Sequence, residues 1–246
     1  DSLDYASLIQ RAILPDRQLS ATLGEHHFIL WKPRDVVGGD FYVYREQTDG
    51  YLIGVVDCAG HGVPGALMTM LARAAIDHAI EAVGSRDPAA ILGETDQAMR
   101  SMLSQEQIPQ ALATNMDAGL VWVDRRRRQL AFAGAKISLY ASDGEEVQEL
   151  KGARRAIGDK RRGDYRNIEV PLAPGWTFYL STDGFLDQAG GEHGFGFGSR
   201  RFADMLRDHA RQPLPEQAEA FVATLAEYQG EHPQRDDITI LSFRFD

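Results

Sequence analysis

Two aspartates framed by glycines carry the clearest chemistry in the chain: Asp40 in VGGDFY and Asp57 in DCAGHGVPG. Gly38 and Gly39 precede the first, and Gly60, Gly62 and Gly65 follow the second, so backbone can approach on both sides with no Cβ in the way. That suits an ion or an oxyanion. Further along, Asp183 follows the apolar run WTFYLST with Asp187 four residues on, and Asp236-Asp237 opens the closing run ITILSFRF. Singly each is weak evidence, because aspartate is a common turn and cap residue. Converging at one sheet edge, such carboxylates repel one another and resist ionising unless cations neutralise them, and all-oxygen ligands select hard ions, Mg²⁺ or Mn²⁺. Two such ions form a device for hydrolysing phosphate esters by activating and orienting a shared water, with no nucleophilic side chain. The chain has no G-x-S-x-G and no P-loop, and Cys58, after an apolar strand, reads as a small filler. His61, alone between glycines, needs no metal to explain it.

These residues need elements to position them. FYVYR and YLIGVV flank Asp49-Gly50, a strong hairpin signal that brings Asp40 and Asp57 to neighbouring strands at one end of a sheet. Pro64 starts a helix in which Leu67, Met70, Leu71, Ala74, Ala75, Ile76 and Ile80 recur at helical spacing up to Gly84, which predicts a largely buried helix. A second helix follows from Pro88 to Leu103, with Met99 and Met102 toward the core. From Ala111 the period becomes strand-like. ALATNMDAGLVWVD and QLAFAGA predict one hairpin, and KISLYA and EEVQEL around Asp143-Gly144 another, four strands paired antiparallel. Strands at 166–172 and in WTFYLST, a glycine-rich loop from Gly190 to Gly198 with anchored aromatics, two helices and the closing strand complete the order. The loop lacks the lysine and Ser/Thr of a phosphate cradle.

The formal net charge of −10 argues against a nucleic-acid partner, and Arg125 to Arg128 read as a solvated turn. With one cysteine no internal disulfide can form, which fits a reducing, cytoplasmic setting. No apolar run is long enough to span a bilayer. The first residues, Leu3, Tyr5, Leu8, Ile9, Ala12 and Ile13, predict an amphipathic helix ended by Pro15. It reads either as an ordinary terminal helix or as the join to an upstream region of a longer protein.

VGGDFY, DCAGHGVPGALM, STDGFLD and RDDITIL, in that order, resemble the PPM-type metal-dependent serine/threonine protein phosphatases, in the bacterial branch that contains SpoIIE and RsbU. IQRAILPD resembles the linker helix of that branch, so the resemblance covers nearly the whole chain. It implies an α+β fold, an αββα four-layer sandwich of two central antiparallel sheets flanked by helices, with residues 1–15 as linker helix and 16–246 as phosphatase domain. Carried over, Asp57 bridges two Mg²⁺ or Mn²⁺ ions. Asp40, directly or through water, and the Cys58 backbone carbonyl hold one, while Asp183 and Asp236 hold the other, with Asp237 as runner-up for Asp236. Asp187 matches a carboxylate that helps hold a loose third ion in some members, and otherwise reads as a solvated turn. Cys58 stands where eukaryotic members have glycine, without loss of the main-chain oxygen. Arg34 lies near the place of a phosphate-binding arginine that the bacterial branch usually lacks. The implied activity is hydrolysis of phosphoserine or phosphothreonine on a small regulatory partner of the anti-sigma-factor antagonist type. Homodimerisation through the first helix, and a cytoplasmic domain of a membrane-anchored sensor, complete the expectation. A pseudophosphatase that binds a phosphoprotein without turnover is the alternative, though such proteins typically lose metal carboxylates. A phosphodiesterase would show ligand-spaced histidines, which are absent here.

Overall fold

In the computed structural model, which describes residues 1–103 and 114–245, α1 (Ser2–Ala12) begins on Asp1, whose carboxylate accepts the Leu3 N–H at 3.1 Å. Its apolar residues Leu3, Tyr5, Leu8 and Ile9 face solvent, and the residue it buries is Gln10. The following polar stretch folds into a helix that the sequence did not predict, α2 (Asp16–Thr22). Leu19 is the only residue α2 buries, so there was no period to read.

Strand β1 (His27–Lys32) leads to the hairpin β2 (Asp40–Gln47) and β3 (Gly50–Cys58), which turns at Thr48-Asp49, one residue ahead of the predicted Asp49-Gly50, with Gly50 already paired to Gln47. Helices α3 (Gly62–Val83) and α4 (Pro88–Leu103) follow. The facing of α3 corrects the sequence reading. Gly65, Thr69, Ala72, Ala75, Ile76 and Ala79 are buried, while Val63, Leu67, Met70 and Leu71 are exposed, Leu67 by 64%. Small residues let the helix lie close to its neighbours, and the larger apolar ones point away. On α4, Met99 is buried and Met102 exposed.

Strands β4 (Met116–Asp124) and β5 (Gln129–Ala135) form the arginine-turned hairpin, with Asp124 Oδ1 accepting the N–H groups of Arg126 and Arg127 at 3.0 Å each. The predicted start of β4, at Ala111, lies outside the described residues. Strands β6 (Leu139–Ser142) and β7 (Val147–Leu150) pair as predicted, but the two hairpins do not join. Between β5 and β6 the chain crosses from one sheet to the other through Lys136, at φ 64°. Next come β8 (Ile168–Pro171), β9 (Thr177–Ser181), the single-turn α5 (Asp183–Asp187), the short pair β10 (Ala189–Gly190) and β11 (Phe195–Gly196), α6 (Gly198–His209), α7 (Leu214–Gln229) and β12 (Ile238–Arg244).

One sheet runs β1-β12-β9-β6-β7 and the other β2-β3-β4-β5-β8, every pair antiparallel. Alternation in β9 and β12 builds the layers. Phe178, Leu180, Leu241 and Phe243 join Ile53, Val121 and Phe132 between the sheets. Tyr179, Ile238 and Ile240 face the other way, against Phe202, Leu206, Phe221 and Leu225 of α6 and α7. Helices α3 and α4 pack on the other sheet, which completes the αββα arrangement expected. Among the described residues no helix is long and apolar enough to cross a membrane.

Candidate metal centre

The hairpin register places Asp40 directly opposite Asp57, and the next pairing places Asp117 of β4 opposite Asp57 on its other side. Residues directly opposite on antiparallel strands share a face, so three carboxylates stand in a row across β2, β3 and β4. Asp183 arrives from the other sheet, where β9 gives way to α5. Carboxylate oxygens of Asp57, Asp117 and Asp183 lie within 4.8 Å of one another. Asp187 closes the same helical turn and its charge presses on Asp183.

Electrostatics of the cluster are unfavourable as it stands. Burial, then the neighbouring Asp40 charge, drives the Asp57 carboxyl far above the carboxylate range. Burial also raises Asp40, as does the charge of Asp237. Asp117 is pushed up to about 6 by burial and then by Asp183. Asp183 and Asp236 are raised for the same reasons, burial first. Lys136 partly offsets the charge on Asp117 and Asp183.

Asp40 is 1% exposed, and its Oδ2 accepts hydrogen bonds from Thr182 Oγ1 at 2.7 Å and Thr239 Oγ1 at 2.9 Å. Its Oδ1 is buried with no partner, a costly state for a carboxylate oxygen. An orphaned acceptor beside three convergent carboxylates, with no nitrogen or sulfur side chain among them, fits hard divalent cations.

The two closing aspartates divide their work. Asp237 is 2% exposed, and its Oδ1 and Oδ2 accept the backbone N–H groups of Arg34 and Gly39, each at 2.8 Å, which fastens the β1–β2 loop. Asp236 remains half-buried, and its Oδ1 caps the Asp237 N–H at 2.7 Å. Gly39 must be glycine, because a Cβ there would lie 2.8 Å from the Gly60 carbonyl oxygen and 2.9 Å from that of Cys58. The Cys58 side chain is buried and burial raises its thiol pKa, as expected of a filler. Arg34 is exposed at the rim, its Nη1 3.0 Å from His61 Nε2. The 190–198 loop anchors Phe197 edge-on against Phe185 but leaves Phe195 exposed.

Sequence reasoning missed Asp117, Thr182 and Thr239. The two threonines lie beside predicted site aspartates, Thr182 in STDG and Thr239 in DDIT, where a search for hydroxyls near the carboxylates would have found them. For Asp117 the signal was a lone charge entering the apolar run AGLVWV.

Comparison with known proteins agrees with this fold. The chain is 23% identical over 205 residues to the phosphoserine phosphatase RsbP of Bacillus subtilis (strain 168), 82% of this chain and 47% of that protein, so it spans about half the length of that relative. It is 96% identical to the solved SiaA-PP2C domain of Pseudomonas aeruginosa, with a TM-score of 0.95 over 100% of this chain and 96% of that one. The structure of RsbX in complex with magnesium shares the fold at 18% identity, with a TM-score of 0.58 over 88% of this chain and 92% of that one. The family model described as Stage II sporulation protein E (SpoIIE) matches residues 47–246, and the chain belongs to that family of PP2C-type phosphatases.

Proposed function

We propose that this chain hydrolyses phosphoserine or phosphothreonine on a small regulatory partner protein, with Mg²⁺ or Mn²⁺ as cofactor. The observation that carries the reading is the convergence of Asp57, Asp117 and Asp183 beside the orphaned Asp40 oxygen. Asp57 would bridge two ions. Asp40 and the Cys58 carbonyl would complete one, and Asp183 and Asp236 the other, while Asp117 with Asp183 and Asp187 offers a place for a third. Asp237, with both carboxylate oxygens engaged by backbone, is the weaker claimant. When bound, such ions offset charge on the phosphoryl oxygens and make a water acidic enough to attack at neutral pH.

The protein's own part is orientation. Thr182 and Thr239 fix the Asp40 carboxylate, and Asp237 fixes the loop that carries Arg34. Arg34, at the rim, would meet the substrate phosphate as a planar fork of donors. Cys58, buried with a raised pKa, is unsuited to serve as a nucleophile. The name of RsbP, a phosphoserine phosphatase, supports the substrate class, and the magnesium complex of RsbX supports the choice of ion. The full set of carboxylates speaks against a pseudophosphatase.

A partner of the anti-sigma-factor antagonist type, a cytoplasmic setting and dimerisation through α1 follow from the resemblance of the motifs. The apolar residues that α1 leaves in solvent are compatible with the last. The test is hydrolysis of p-nitrophenyl phosphate and of phosphoserine and phosphothreonine peptides with Mn²⁺ or Mg²⁺, wild type against Asp57→Ala. Metal-dependent turnover lost in the variant supports the reading. A wild type inert at millimolar Mn²⁺ overturns it.

A further inference from the structure

We infer that His61 is the positioning residue of Arg34, an uncharged tether that holds the guanidinium at the rim of the metal centre without neutralising it. The inference rests on the reading that Arg34 meets the substrate phosphate.

Arg34 lies on the β1–β2 loop, with its backbone N–H fixed 2.8 Å from Asp237 Oδ1. Its Nη1 stands 3.0 Å from His61 Nε2, and His61 Nδ1 stands 3.3 Å from Asp35 Oδ2. A guanidinium has no lone pair to offer, so the ring Nε2 must accept and the proton must sit on Nδ1, where it donates to Asp35. Asp35 therefore selects the tautomer that can hold Arg34. His61 itself is fixed by position, as the residue that leads into α3, four residues beyond Asp57.

The partner is an imidazole, where Arg201, Arg235 and Arg244 donate to carbonyl or hydroxyl oxygens. Arg45, Arg86, Arg100 and Arg125 are each held by a carboxylate, as the acidic composition favours. Among the described residues no carboxylate forms an ion pair with the Arg34 guanidinium. A carboxylate there would orient the side chain equally well but would offset the charge a dianionic phosphate ester needs to find. A neutral imidazole separates the two effects, giving direction without compensation. The fork's remaining N–H groups stay available for two phosphate oxygens.

Two measurements test this: KM and kcat for a phosphoserine peptide with Mn²⁺, and affinity for inorganic phosphate by calorimetry on the Mn²⁺-loaded protein, which does not require turnover. R34A is expected to raise KM and the phosphate Kd roughly tenfold, the scale of one charge-assisted hydrogen bond. H61A should raise both about three- to tenfold with kcat within about twofold, because the guanidinium is still present but no longer aimed. H61Q places an amide oxygen within reach of Nη1 and should recover most of the loss. H61E, which supplies a carboxylate, should weaken phosphate at least as much as H61A. The double variant R34A/H61A should be no worse than R34A alone. Calorimetric Mn²⁺ affinity should be unchanged by H61A. The inference is overturned if H61A leaves phosphate affinity intact while R34A weakens it, if the two losses add, or if H61A loses Mn²⁺, which would mark the histidine as a ligand. If R34A changes neither KM nor phosphate affinity, the assignment of Arg34 fails and the tether with it. A wild type that binds phosphate through Arg34 and His61 without turnover would overturn the proposed activity alone and support the tether.

Discussion

Asp40 is held on one oxygen by two threonine hydroxyls and on the other by nothing, and this asymmetry makes its neighbours sensitive. Removing one hydroxyl, as in Thr182→Val, leaves an inward carboxylate oxygen with a single donor. Mn²⁺ affinity by calorimetry is expected to fall on the order of 10- to 100-fold, the usual cost of losing support behind a ligand. Asp57→Ala removes the centre of the carboxylate row and is expected to lower kcat by about a thousandfold, with the fold retained by circular dichroism. Asp117 makes a sharper test because its carboxyl sits at about 6 rather than at the ordinary 3.8. Between those values the folded protein keeps a proton that the unfolded chain has released, so this residue makes stability fall as pH rises through that window. The metal-free protein should therefore lose more melting temperature from pH 4 to pH 7 than Asp117→Asn does. Mn²⁺ should restore the loss at the upper end, because the ion binds the deprotonated cluster. Equal pH slopes in the two proteins would refute the assignment.

At the scale of elements, the β2–β3 hairpin was legible because Asp49-Gly50 marks the bend to within one residue, and the pairing of Gln47 with Gly50 then fixes where Asp40 and Asp57 stand. Asp117 was not, because the chain between α4 and β4 supplies no spacing from which its partner on β3 could be counted. Similarly, Asp183 and Asp236 could be recognised by their motifs, whereas Thr182 and Thr239 matter only once β9 and β12 bring together residues 57 apart in sequence. The facing of α3 was illegible for another reason. Apolar side chains lie on both of its sides, and only packing shows that the small ones go inward. This has a measurable consequence in urea unfolding: Leu67→Ser should change stability by no more than about 0.5 kcal/mol, while Ala75→Leu should cost about 1–3 kcal/mol by overpacking. The reverse order would mean the helix is turned about its axis. Gly39→Ala forces a methyl against two backbone carbonyls that cannot swing away, so it should impair folding and metal binding together.

Across the whole molecule the N-terminal helix is tied to the loop that leads into the candidate metal centre by one buried side chain. Gln10 donates to the Gly38 carbonyl at 2.7 Å and accepts the Gly38 N–H at 3.2 Å, two residues before Asp40. Deleting residues 1–13 removes this clasp along with the exposed apolar face of α1. The shortened protein is expected to differ in turnover, in mass by light scattering, or in both, and a change in neither would exclude a regulatory role for the helix. The acidic surface, at −10 overall, should also make the affinity for a phosphorylated partner depend on the ions rather than on general attraction.

Strand β12 lies between β1 and β9, and Asp237 just before it reaches back to fasten the loop at Arg34 and Gly39. During synthesis the chain thus exposes Asp40, Asp57, Asp117 and Asp183 long before the piece that closes the site has left the ribosome. An unfinished chain lacks the strand that joins β1 to the rest of its sheet and the carboxylate that shapes the rim. A chain cut short before β12 is therefore expected to show no metal-dependent turnover of p-nitrophenyl phosphate, even with Asp40, Asp57, Asp117 and Asp183 all present.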